Sequence, residues 1–332
     1  MENPFANIAY VHKLNAQELG YRGGEPGKAG RYIYISKKLS GLFFPPLSET
    51  IVNDNVLLDV IPPNSDDVVK TKFVYHNDKV AADGTRDEYR LYLNSGNDPG
   101  RDYYKPEDIV VIVKIISEDN FTYKILHYAS IDREYPQLKS LLEGADTRNG
   151  THALLEMKEL TFLEDLRKIR FGKKIIPKEI IEESFNEAVE HAPVTEEDKN
   201  DTTRVIRSRS FRDLILYFYE DKCAITGKNL VIEYKDFKNL EAAHILARAA
   251  GGGSHPSNGM ALERNLHWAF DKGFFTLTEN YTVEVHPDAM HVSYLKDKHG
   301  MKISIPQDSR SHPNKDSIKW HNDNVFGMFL RS

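Results

Sequence analysis

The run LEAAHILARAAGGGSHPSNGMALERNLHWAFDKG, Leu240–Gly273, constrains the chain more than any other. It sets two differently patterned stretches on either side of three consecutive glycines. On the near side NLEAAHI alternates as a strand does, which puts His244 on the face opposite Ala243 and Ile245. Past the loop AAGGGSHPSNG, ALERNLHWAFDKG carries Leu262, Leu266, Ala269 and Phe270 at helical intervals and predicts a helix stopped by Gly273. On that helix His267 and Asp271, at i and i+4, stack on one face. An imidazole and a carboxylate so placed suit one divalent cation, because such ions accept nitrogen and oxygen ligands. Taken singly, a helix histidine is more often a packing or surface residue, and an asparagine before glycine more often a turn residue.

A length of 332 residues implies about two domains, each able to bury a core. With 40% hydrophobic and 28% charged residues, the composition is that of an ordinary globular protein. No apolar run reaches transmembrane length, and the opening MENPFANIAYVHKL lacks a secretion pattern, so a cytoplasmic setting is expected. Cys223 is the single cysteine, which excludes a disulfide framework and a cysteine-rich zinc knuckle. The formal net charge of −6 argues only weakly against nucleic acid, because phosphate binding depends on local faces. The run Glu164–Lys178 is strongly basic and Val194–Asp201 is acidic.

Residues 1–150 read as mostly β. The runs Arg31–Ser36, Asn55–Ile61, Lys72–His76, Tyr89–Leu93, Asp108–Ile115 and Phe121–Tyr128 are short and β-branched or aromatic, with Gly, Asn, Asp and Pro between them. A short helix is expected after Ser36, stopped by Pro45-Pro46. Residues 151–192 take on helical periodicity, with Pro177 where the second helix begins. Ala192–Thr203 is the expected linker, and Ser210–Cys223 an amphipathic helix with Ser210 as its N-cap. Short strands follow near NLVIEY, FFTLT and TVEVHP. The fold class expected is α+β.

The combination of strand-His, loop Asn-Gly and helix His-x-x-x-Asp resembles the HNH nuclease, or ββα-metal, motif. The resemblance extends to CAITG at Cys223–Gly227, EAAHI at Glu241–Ile245, NGMAL at Asn258–Leu262, LHWAFDKG at Leu266–Gly273 and the distal Trp320-His321. It implies His244 as the general base that activates water against a DNA phosphodiester, work that suits a neutral imidazole. It also implies His267 and Asp271 as metal ligands and Asn258 as the residue that pins the loop and orients His244. Relatives often carry a ligand immediately before the base; here Ala243 stands there, and Glu241 lies two residues away. Mg²⁺ is the expected ion, with Mn²⁺ or Zn²⁺ as alternatives. His321 is expected to pack rather than react.

The N-terminal part resembles the effector domain of the EcoRII restriction enzyme, a pseudobarrel related to the plant B-three domain. The matching residues are Lys13–Gly24, Tyr32–Ser36, Gly84–Arg90 and Lys105–Ile112. The resemblance implies DNA contacts from Lys13, Arg86, Glu88, Tyr89 and Arg90, with Lys28 and Arg31 beside them. Arginine can bond guanine bidentately, and glutamate can accept from the cytosine amino group. The expected organisation is a DNA-recognition pseudobarrel over 1–150, a helical spacer and linker over 151–203, and an HNH nuclease domain over 204–332. The function implied is a type II-like, sequence-specific restriction endonuclease acting on double-stranded DNA, working as a homodimer at least on DNA. A nuclease that cuts only modified DNA and a non-enzymatic DNA-binding regulator are the alternatives.

Overall fold

The computed structural model describes residues 5–22, 25–26, 30–78, 87–117, 120–145, 150–189, 201–229, 231–232 and 237–330. The chain divides into two compact units, Met1–Ile180 with Asn200–Ile206, and Ile181–Lys199 with Arg207–Ser332. Among the described residues no helix is long and apolar enough to cross a membrane.

The first unit is built on one nine-stranded sheet. Its strands are β1 (Phe5–Lys13), β4 (Tyr32–Ile35), β5 (Asn55–Ile61), β6 (Val68–His76), β7 (Glu88–Tyr92), β8 (Ile109–Ser117), β9 (Asn120–Tyr128), β10 (His152–Glu156) and β11 (Lys174–Ile175); β2 (Tyr21–Arg22) and β3 (Glu25–Pro26) form a separate small hairpin. The order is β10-β1-β8-β9-β5-β6-β7-β4, with β11 added parallel to β6. Alternation gives most strands two buried faces. Tyr10, Val110, Ile112, Tyr123, Phe73 and Leu91 point into one core. The helix α1 (Lys37–Phe43) follows Ser36 and brings Phe44 to stack on Phe73 at 5.0 Å and on Tyr123 at 5.1 Å. On the other face Ala9, Val11 and Val111 pack against Leu138 and Leu142 of α2 (Tyr135–Gly144).

The sheet is curled, and side chains tie its far end back to β1. The Tyr10 hydroxyl accepts from the Ser36 N–H at 3.2 Å and donates to the Tyr34 carbonyl at 3.1 Å. The buried Glu18 carboxylate accepts from the Tyr34 N–H at 2.6 Å and sits 2.7 Å from His12 Nε2. These bonds do for β4 what a ladder of backbone bonds would do in a closed barrel, since buried polar groups must find partners.

Several sequence expectations are corrected. The stretch after residue 151, expected as a helix, opens as β10, which pairs with β1 from Ile8↔Glu156 to His12↔His152. Ala153 and Leu155 are buried alternately, and the edge of β1 captures this run before helical propensity can act. Two 3₁₀ turns follow, Met157–Leu160 and Glu164–Arg167, so no helical spacer forms there. The expected second helix is present only as α3 (Lys178–Ser184), directly after Pro177. Most of the expected linker, residues 192–200, lies outside the described residues, and Asp201–Thr203 are already the first turn of α4 (Asp201–Phe218). Ser210 is therefore inside a helix rather than capping one; Thr203 is anchored, its Oγ1 donating to the Pro46 carbonyl at 2.6 Å.

The second unit holds the hairpin of β12 (Val231–Ile232) and β13 (Phe237–Lys238), then β14 (Leu240–His244) paired with β15 (Gly259–Glu263), then α5 (Arg264–Asp271). The hairpin of β16 (Phe275–Leu277) and β17 (Val283–Val285) follows, with α6 (Ser293–Lys296) and α7 (Lys315–Asn324). The expected helix from Ala261 is shorter than its pattern suggested. Gly259–Glu263 is the return strand of the hairpin, because its backbone pairs with Leu240–His244. Gly273 ends α5 with φ +74, and a Cβ there would lie 1.9 Å from the Val325 carbonyl oxygen. Only glycine permits both the turn and that approach.

Replacing Tyr10 by phenylalanine leaves the Ser36 N–H and the Tyr34 carbonyl without their shared partner. The expected loss is about 1–3 kcal/mol, read from the midpoint of denaturant unfolding. An unchanged midpoint would show that the curl does not depend on this hydroxyl.

Candidate active site

The site grows from the β14–β15–α5 segment. The turn Cys223–Gly227 braces it: the Ala224 N–H donates to the Ala261 carbonyl at 2.8 Å, and Thr226 Oγ1 donates to Glu263 Oε1 at 2.6 Å. Cys223 is buried and free. In the hairpin His244 stands opposite Gly259. A Cβ on Gly259 would meet Phe211 and Ile215 of α4 at 2.6 Å each. The missing side chain admits Phe211, whose ring stacks on the His244 imidazole at 4.0 Å and 19°.

Asn258 holds the loop that joins the two strands. Its side chain has no solvent exposure. Oδ1 accepts from the Leu246 N–H at 2.8 Å, while Nδ2 donates to the carbonyls of Leu246 and Gly253, each at 3.0 Å. The Asn258 carbonyl also accepts from the Ile245 N–H at 3.0 Å. Both backbone groups of Leu246, two residues beyond His244, are thus held by one carboxamide.

His244 is partly buried, and loss of hydration lowers its pKa to about 4, with the neighbouring Arg248 and His267 adding to the effect. Its Nε2 is buried without a hydrogen-bond partner. A ring in this setting is neutral near pH 7, the state a proton acceptor needs. His321, by contrast, packs flat on Phe270 at 3.7 Å. It is held at both nitrogens, by Thr276 Oγ1 at 2.9 Å and the Phe270 carbonyl at 3.1 Å, and burial lowers it to about 4 as well.

On α5, His267 lies between two carboxylates. Nδ1 is 2.7 Å from Glu241 Oε2 and Nε2 is 3.3 Å from Asp271 Oδ2. In the tautomer that donates Nδ1–H to Glu241, His267 turns its Nε2 lone pair toward a carboxylate oxygen. Two acceptors facing each other repel unless a proton or a metal cation lies between them. The donor set therefore fits a divalent cation held by His267 Nε2 and Asp271, with Glu241 fixing the ring from behind. Among the described residues no three His, Cys, Asp or Glu side chains converge on one cation position. An ion that keeps several waters suits such a two-ligand shell. Ala243 is fully buried in the core, so a third ligand at that position is impossible in this register.

The contact of Glu241 with His267 is not visible in the local sequence pattern. Strand alternation alone separates it from His244, but the hairpin register sets it opposite Leu262, beneath the start of α5. There its second oxygen, Oε1, also meets Arg264 Nε at 3.1 Å. Phe211 had no local signal, because its contact is long-range.

The residues expected to touch DNA lie in the first unit, apart from this cluster in the chain. Lys13 pairs with Glu107 at 2.9 Å. Arg31 is buried and holds both oxygens of Asp98 through Nη1 at 2.8 Å, so it cannot reach a base edge without leaving that carboxylate. Tyr89 is buried and stacks on Tyr75 at 4.5 Å; it belongs to the core. Arg90 pairs with Glu88 and lies over the Tyr32 ring at 3.9 Å. Lys28 and Arg86 lie outside the described residues.

A β-hairpin followed by a helix, with one histidine on the first strand and a His–Asp pair on the helix, defines a ββα arrangement. Residues 223–278 match the family model of HNH endonucleases, so this part of the chain is an HNH endonuclease domain. No curated protein sequence matches the chain. Among solved structures it is similar to a modification-dependent TagI restriction endonuclease, with 19% identity and a TM-score of 0.28. That match covers 35% of this chain and 37% of the other, so the chain spans little more than a third of its length.

Two histidines held neutral make the second unit sensitive to acid. Below about pH 6.5 the unfolded chain binds protons at His244 and His321 that the folded chain refuses until about pH 4. Stability therefore falls as pH drops through that window, by about 1.4 kcal/mol per pH unit for each histidine. Denaturant unfolding of the metal-free protein at stepped pH checks this. Phe211→Ala, by opening His244 to water, is expected to return its NMR titration midpoint toward 6.5.

Proposed function

We propose that the chain is a metal-dependent DNA endonuclease of the restriction type, with the first unit choosing the target and the HNH domain cutting it. The observation that carries this reading is His244, neutral and unpartnered at Nε2, in one short hairpin-helix with the His267–Asp271 pair. In this reading His244 takes a proton from the attacking water as it adds to a DNA phosphodiester. Asn258 keeps the loop, and through it His244, in place. His267 and Asp271 hold a divalent cation, with Mg²⁺ the first choice and Mn²⁺ or Zn²⁺ alternatives. When bound, that ion supplies positive charge for the phosphate oxygens and the leaving oxygen. Glu241 keeps the His267 proton on Nδ1.

Target choice is assigned to the first unit, with Arg86 and Glu88 as base-reading candidates and Lys13 and Lys28 as phosphate contacts; Arg90, buried and paired with Glu88, supports that pair from within. Two chains acting on one site would give a double-strand cut, since each chain carries one HNH domain.

Digestion of unmethylated and methylated phage DNA, with and without Mg²⁺, tests the reading. Discrete fragments from unmethylated DNA are expected. His244→Ala should slow cutting by roughly 10²–10⁴-fold, the usual worth of a general base. Glu241→Gln should raise the metal concentration needed for half-maximal rate by roughly 10–100-fold. Cutting confined to modified DNA would replace sequence-specific restriction with modification dependence, and DNA binding without cutting under any of the three metals would remove the catalytic reading.

A further inference from the structure

The helix that carries the metal pair has a second stripe that the chemistry above does not use. Arg264 and Trp268 lie at i and i+4, one residue out of phase with His267 and Asp271, and Lys272 caps the helix end four residues on. Trp268 is 58% exposed, the most exposed large apolar side chain on this helix. An indole left in water beside a reaction centre runs against the gain from burying it.

Trp268 is held from behind. Its ring lies 5.4 Å from that of Phe274, which stacks on Phe329 at 4.3 Å and 14°. Phe274 and Phe329 pack in turn on the unit's core. The Gly273 turn makes this support possible: the Gly327 N–H donates to the Gly273 carbonyl at 2.8 Å, which brings the segment carrying Phe329 onto Phe274. The indole thus leans at 33° on an aromatic pair, with more than half of its surface exposed. The flanking side chains are cationic, and that of Arg264 is 68% exposed.

We propose that Trp268 is a stacking platform for a nucleobase of duplex DNA next to the cut phosphodiester, with Lys272 and Arg264 contacting the neighbouring phosphates. This rests on the endonuclease reading and deepens it. A rigid aromatic face suits any base, because every base presents a π-face, and cations on either side match the polyanionic backbone. Wedging a side chain between base steps also unstacks and bends a duplex. Trp268 in this reading positions DNA beside the His267–Asp271 face of α5 and takes no part in proton transfer.

The test uses the full-length chain with His244→Ala, so that DNA is bound and not cut. The chain has two tryptophans, and Trp320→Phe leaves Trp268 as the single tryptophan, excited selectively over the tyrosines. Titration with a short random-sequence duplex should quench its emission in a saturable way. Trp268→Ala should weaken duplex binding roughly 10–100-fold by anisotropy, and Trp268→Phe should restore most of it. Lys272→Ala should flatten the dependence of affinity on salt. A far-ultraviolet spectrum and melting midpoint like wild type for Trp268→Ala exclude misfolding as the cause. Unquenched emission with unchanged binding in Trp268→Ala would overturn the proposal. So would a change from dimer to monomer in that variant without loss of DNA affinity, which would make the patch a subunit contact. The two readings fail separately. If His244→Ala abolishes cutting while Trp268→Ala, in the His244 background, cuts at the wild-type rate, the platform falls and the nuclease stands. If wild type never cuts but Trp268 is quenched and needed for binding, the nuclease falls and the platform stands.

Discussion

One buried carboxamide organises the second unit. Asn258 uses both edges of its side chain on the backbone of Leu246 and Gly253, and its own carbonyl on the Ile245 N–H. Those bonds turn a glycine-rich loop, which would otherwise sample many conformations, into a fixed connection between two strands. With the loop fixed, His244 falls opposite Gly259, Phe211 fills the space that glycine leaves, and the imidazole is both oriented and kept neutral. An alanine at 258 would leave three loop groups competing for partners in a place water does not reach.

The electrostatics follow from that frame. His244 is deprotonated because it is enclosed, with the neighbouring Arg248 and His267 adding to the effect. His267 is placed in the opposite environment, between Glu241 and Asp271. One short hairpin-helix therefore keeps one imidazole uncharged and sets another between two carboxylates. The two imidazoles differ by environment and not by residue type.

The first unit obeys a different constraint. Its sheet bends until β4 comes back to β1, and Tyr10 and Glu18 satisfy the backbone groups left there. Six strands were legible from β-branched and aromatic runs between turn residues. Two were not. β1 has an apolar content that alternation does not mark, since it is buried on both faces. β10 carries a helical pattern overridden by pairing with β1. Similarly, Gly259–Glu263 blends into the helical pattern of α5, and only its partner strand reveals it.

The sequence alone determined the chemistry available: His244, Asn258, His267 and Asp271 at spacings that suit a hairpin-helix site, together with the glycine punctuation that lets it turn. Those features are local, so periodicity and residue type suffice to read them. Tertiary structure decided what local pattern cannot carry. It brought Glu241 under His267, laid Phe211 over His244, sealed Arg31 and Tyr89 inside the first unit, and left Trp268 in water on an aromatic support. Each depends on contacts between distant segments, whose geometry is set by strand register and by close backbone approach at Gly259 and Gly273.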